Sequence, residues 1–92
     1  MKSEQAMVVA LQALEWLARD EGRLTAFLTQ AGMVPSDLAA QAAEPDFLAA
    51  LLDFLLSDEA SVLAFAHDMG FAPTILLQAR SGLPGGQLPH WT

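Results

Sequence analysis

The stretch Leu14–Leu38, LEWLARDEGRLTAFLTQAGMVPSDL, returns in outline 38 residues later as Leu52–Leu76, LDFLLSDEASVLAFAHDMGFAPTIL. Nine of the 25 columns are identical: Leu, Leu, Asp, Glu, Ala, Phe, Gly, Pro and Leu. In an Ala- and Leu-rich chain about one column in ten would agree by chance, and chance would not also align the glycine and proline breakers. Asp20 and Asp58 stand where a carboxylate meets the free amides at the start of a helix. Gly32 and Gly70 stand where a helix closes through a left-handed residue, with Met33 or Phe71 folding back on the last turn. Pro35 and Pro73 then forbid continuation, and Ser36 and Thr74 are placed to open short third helices over Asp37 to Ala43 and Ile75 to Arg80. The repeat predicts two three-helix units, over residues 8–43 and 46–81, with Trp16 and Phe54 in equivalent buried places.

Working outward, no Gly or Pro interrupts Ser3 to Arg19, and Ser3 is a good N-cap. Met7, Leu11, Leu14 and Ala18 follow helical spacing, and Val9, Ala13 and Trp16 or Leu17 make a second apolar seam. Only a narrow polar stripe remains through Gln12, Glu15 and Arg19, so other helices must wrap this one. Its counterpart opens at Pro45, suited to a first helical turn, and runs to Leu56 with a polar stripe at Asp46, Asp53 and Ser57. The first and fourth helices are therefore expected at the centre. The fold class is all-α: a small bundle of about six helices forming one domain over residues 1–81. Residues 82–92 contain too many Gly and Pro for a regular element and read as an irregular tail.

The chain has 92 residues, 53% of them hydrophobic and 16% charged, with no cysteine. That composition suits one packed domain and excludes both a disulfide framework and a thiolate metal site. Eleven Asp and Glu against four Lys and Arg give a net charge of −7, a field that repels nucleic-acid phosphates and anionic headgroups. The most lipid-like run, Phe47 to Leu56, is broken by Asp53 and has about half the length needed to span a bilayer. The apolar stretch from Ala6 to Ala18 is interrupted by Gln12 and Glu15 and lacks a clean cleavage site, so a cytoplasmic protein is expected rather than an exported one.

Phe65-Ala66, Gly70-Phe71 and the helix opened by Thr74 follow the small and apolar pattern of a helix-turn-helix. Its second helix, however, offers DNA only Gln78 and Arg80, and a plain C-cap at Gly70 explains the same residues. His67 with Asp68 and Asp58 matches no ligand spacing for a metal, and neither His67 nor His90 has a nucleophile beside it in sequence. Glu15 and Asp53 occupy equivalent columns, which could bring two carboxylates together around a divalent ion or a ligand. Leu83, Leu88 and Trp91, with His90 beside them as a further interaction residue, put large apolar groups on a tail that would be polar if it were only a solvated end. They mark a surface that something covers.

Glu4-Gln5-Ala6, Ala13-Leu14-Glu15-Trp16-Leu17, Leu52-Asp53-Phe54-Leu55-Leu56 and the ending Leu83-Pro84-Gly85-Gly86 with Pro89-His90-Trp91-Thr92 together resemble the small alphaproteobacterial proteins grouped as domain of unknown function 3572. The resemblance implies a helical bacterial cytosolic protein and brings no activity, cofactor or partner. The high apolar fraction exceeds what a domain of this size comfortably hides. The residues therefore point to a non-catalytic protein-interaction or assembly module, with no cofactor, that uses apolar surface and the tail to bind a protein partner or a second copy as a homodimer. The alternative is a small-ligand or ion-binding protein with Glu15 or Asp53 at the mouth of a pocket.

Overall fold

The structure is a computed structural model and describes residues 1–85. Its helices are α1 (Ser3–Ala18), α2 (Glu21–Ala31), α3 (Leu38–Gln41, preceded by a 3-10 turn over Pro35–Asp37), α4 (Pro45–Leu56), α5 (Glu59–Met69) and α6 (Ile75–Ser81). No strand occurs among the described residues. The expected six-helix all-α architecture is what the chain adopts.

The capping signals act nearly as read. The Asp20 carboxylate accepts from the Arg23 amide at 3.2 Å, and Asp58 accepts from the Ala60 amide at 3.2 Å and the Ser61 hydroxyl at 2.7 Å. Gly32 (φ 69°) and Gly70 (φ 73°) both close their helices in the left-handed region. The following amides bond back at six-residue reach, Met33 to the Leu28 carbonyl at 2.9 Å and Phe71 to the Ala66 carbonyl at 2.8 Å. A Cβ would meet nothing within 4 Å at either glycine, so backbone conformation and not space selects glycine there.

Three serine and threonine caps differ from expectation. Ser3 is already helical, Lys2 is the N-cap residue, and no side chain caps α1. Ser36 lies within the 3-10 turn, where Asp37 instead accepts from the Val34 amide at 3.2 Å. Thr74 does not cap α6; its hydroxyl accepts from the Gln78 amide group at 3.3 Å. The extended N-cap place before the 3-10 turn is taken by Val34, whose side chain has no acceptor, and Thr74, with φ −86° and ψ 0°, lacks the extended geometry in which a hydroxyl caps.

α1, α4 and α6 pack against one another as the centre, with α2 resting on α1 and α4 and α5 on α4. The buried face of α1 is Ala6, Val9, Ala10, Ala13, Trp16 and Leu17. Of the seam at Met7, Leu11, Leu14 and Ala18, Leu11 and Ala18 are exposed and the other two are only half-buried. Three alanines on the buried face let neighbouring backbones approach, and that close approach outweighs the larger side chains of the competing seam. α4 supplies Phe47, Leu48, Ala49, Leu51, Leu52 and Leu55. α6 adds Leu76 and Ala79, and the packed core continues to Leu83, two residues past Ser81 where the tail was expected to begin. Gly82 permits this: a Cβ there would lie 2.6 Å from the Met1 carbonyl oxygen and 2.8 Å from the Ala6 Cβ.

α2 and α5 share an Asp N-cap and a left-handed Gly closure. The third helices differ, since α3 is one turn with no buried residue, whereas α6 is driven into the centre by Leu76 and Ala79.

Candidate functional site

The aromatic contacts follow the 38-residue offset in a crossed manner. Trp16 of α1 meets Phe65 of α5 edge to face, with centroids 5.8 Å apart, and Phe54 of α4 meets Phe27 of α2 in the same way at 5.3 Å. Adding 38 to Trp16 gives Phe54, and subtracting 38 from Phe65 gives Phe27, so each contact is the image of the other.

The two images are filled differently. Trp16 is 3% exposed, its indole N–H donates to Asp68 at 2.8 Å, and the Arg23 guanidinium lies 4.5 Å from the ring centroid. Phe54, expected to be equally buried, is half-buried. Beside it a groove of about 270 Å³ opens between α2 and α4, lined by Phe27, Gln30, Ala31, Ala50, Asp53 and Phe54. Column by column the groove side is smaller: Phe54 stands opposite Trp16, Ala31 opposite Met69, Ala50 opposite Gln12, and Ser61 opposite Arg23. Gln30 replaces the acceptor Asp68. Gln30, Ala31 and Ala50 were missed in the sequence, yet these size differences across the repeat were the signal that could have found them.

Glu15 and Asp53 are paired with different cations. Glu15 pairs with Arg19 at 3.2 Å on the exposed face of α1. Asp53 sits at the lip of the groove and takes a two-pronged bond from Arg80, 2.7 Å from Nε and 3.2 Å from Nη2. The third prong of the same guanidinium donates to the Pro84 carbonyl at 2.8 Å. Each carboxylate thus has its own cation. Leu83 is buried, 2% exposed, as part of the core. Leu88, His90 and Trp91 lie outside the described residues.

His67 is exposed on the last turn of α5; Asp68 serves the Trp16 indole and Asp58 caps α5, so this trio is dispersed among three tasks. Among the described residues no three His, Asp or Glu side chains gather as metal ligands. In the segment resembling a helix-turn-helix, both donors of α6 are engaged, Gln78 by Thr74 and Arg80 by Asp53 and Pro84. Leu76 and Ala79 of the same helix are buried in the centre. No helix among the described residues is long and apolar enough to cross a membrane.

On the outside of α1, opposite its buried face, Val8 is 56% and Leu11 42% exposed. Glu4 and Glu15 flank them one turn away on either side, so an apolar pair is bracketed by two carboxylates.

No curated protein and no solved structure matches the chain. Residues 3–86 match a protein family along nearly the whole of the helical domain, and the chain therefore belongs to the family described as protein of unknown function (DUF3572).

Proposed function

We propose that the protein is a non-catalytic interaction module whose outer α1 face docks on a partner protein. The carrying observation is the exposed pair Val8 and Leu11 between Glu4 and Glu15. Apolar side chains at successive turns of a rigid helix supply burial, and the flanking carboxylates select a surface carrying Lys or Arg beside its own apolar groups. The net charge of −7 adds long-range attraction toward such a partner. A foreign partner fits this face better than a second copy: antiparallel pairing of two α1 faces over Val8 and Leu11 brings Glu4 of one copy against Glu15 of the other. Homodimerisation through other apolar surface is the variant of this reading.

The test places a photo-crosslinking residue at position 8 or 11 in the native bacterium. The expected result is one discrete protein adduct that disappears when the other position is changed to Lys, with the helical circular dichroism unchanged. Absence of any adduct at both positions overturns the proposal, and an adduct only with the chain itself replaces it by homodimerisation.

A second reading, a small-ligand protein, is favoured by one observation: Asp53 stands at the lip of an apolar groove floored by Phe27 and Phe54. Binding of a cationic aromatic compound, detected by shifts confined to Phe27 and Phe54 ring resonances, is the outcome that supports it.

A further inference from the structure

We infer that the groove between α2 and α4 is the seat of the chain's own C-terminal Trp91, docked in cis. This goes beyond the α1 face proposed above and does not depend on it.

The groove is distinguished by what is missing from it. Its image in the other half is filled by the Trp16 indole, whose N–H is accepted by Asp68 and whose face is covered by Arg23. On the groove side every one of those columns carries a smaller or neutral residue, leaving Phe54 half-buried and about 270 Å³ open above two edge-to-face phenylalanines. A planar aromatic group is what that space takes, since its edge can meet the Phe27 and Phe54 rings at the spacing the rings already keep. The acceptor column is retained in neutral form, because Gln30 stands where Asp68 stands, and the Asp53 carboxylate adds a second acceptor at the lip. An apolar floor with acceptors at its edge suits an indole better than a phenyl ring. The chain has two tryptophans, of which Trp16 is in the core and Trp91 is the other.

The chain also leaves from the right place. Arg80 holds Asp53 with two of its nitrogens and the Pro84 carbonyl with the third. One guanidinium therefore pins the start of the C-terminal segment within about 8 Å of the groove lip. From Gly85 to Trp91 six residues span at most about 20 Å, ample for the remaining distance. Gly85 has φ 80°, a left-handed turn immediately after the pinned carbonyl, which redirects the backbone at the point of departure.

Nuclear magnetic resonance on the full chain tests this. Trp91→Phe assigns the Trp91 indole signal by its loss. The expected result is a set of nuclear Overhauser contacts from the Trp91 ring to Phe27 and Phe54, unchanged on dilution. The double variant Ala31→Met, Ala50→Gln imports the bulk of Met69 and Gln12 into the groove. It is expected to abolish those contacts and move the Trp91 indole signal to its position in a free peptide of residues 85–92. If that variant fails to fold, the wild-type contacts decide alone. Absence of contacts to Phe27 and Phe54 overturns the inference. Contacts that appear only between differently labelled copies overturn docking in cis and assign the groove to a second chain. Neither outcome touches the crosslinking result at positions 8 and 11, so the two proposals fail separately.

Discussion

The Trp16 indole N–H and the Asp68 carboxylate, 52 positions apart in sequence, meet at 2.8 Å and tie α1 to α5. These two helices lie in opposite halves of the chain, and the Phe65 ring also meets the same indole, with centroids 5.8 Å apart. Asp68→Ala leaves a buried N–H without its acceptor and is expected to destabilise by about 1 to 2 kcal/mol. Asp68→Asn keeps a carbonyl in reach and should lose less. Urea unfolding of both variants checks the order, and equal losses would mean that the carboxylate charge rather than hydrogen bonding holds the pair.

Two glycines should fail for different reasons. Gly32→Ala forces a side chain into the left-handed region at a cost of about 1 kcal/mol, with no clash to relieve. Gly82→Ala drives a methyl into the Met1 carbonyl and the Ala6 Cβ, and overpacking of this kind costs about 1 to 3 kcal/mol. Adding Ala6→Gly should recover part of the second loss and none of the first. Thermal melts of Gly32→Ala, Gly82→Ala, Ala6→Gly and the two double variants form the double-mutant comparison.

Arg80 serves two acceptors with one planar fork, which a lysine ammonium cannot reproduce. Arg80→Lys is therefore expected to behave nearly like Arg80→Ala, each losing about 1 kcal/mol, because Asp53 is more than half exposed and solvent screens the pair. Chemical denaturation at low and high salt measures it; full retention of stability by the lysine variant would show that charge alone suffices.

The outer face of α1 should tolerate what its inner face does not. Val8→Lys with Leu11→Lys is expected to change stability by no more than about 0.5 kcal/mol per site, as exposed positions do. Ala10→Leu, on the buried face against α4 and α6, should cost about 1 to 3 kcal/mol. Unfolding midpoints compare them directly.

Any self-association should be insensitive to salt, because only four Lys and Arg are present to form ion pairs across an interface in a chain of net charge −7. Light scattering across protein and salt concentrations measures this. Dissociation at high salt would point instead to ion pairs at the contact.

What the amino-acid sequence determined by itself is the set of local boundaries. Asp20, Asp58, Gly32, Gly70 and Pro45 each act through atoms within a few residues of themselves, so their caps, closures and first turns could be read without knowing any neighbour. The repeat carried the crossed aromatic columns for the same reason: residue type at a fixed offset is a local record. Which seam of α1 faces inward was a tertiary decision, because two apolar seams compete on that helix. The alanines at positions 6, 10 and 13 win only once α4 and α6 are there to approach them. The pairing of Asp53 likewise depended on Arg80 arriving from α6, 27 residues away from Asp53 in the chain. The groove exists because Ala31 of α2 and Ala50 and Phe54 of α4 stand together where the residues 38 positions away are a thioether, an amide and an indole. No single position signals that vacancy, and only the packing of α2 against α4 turns it into space.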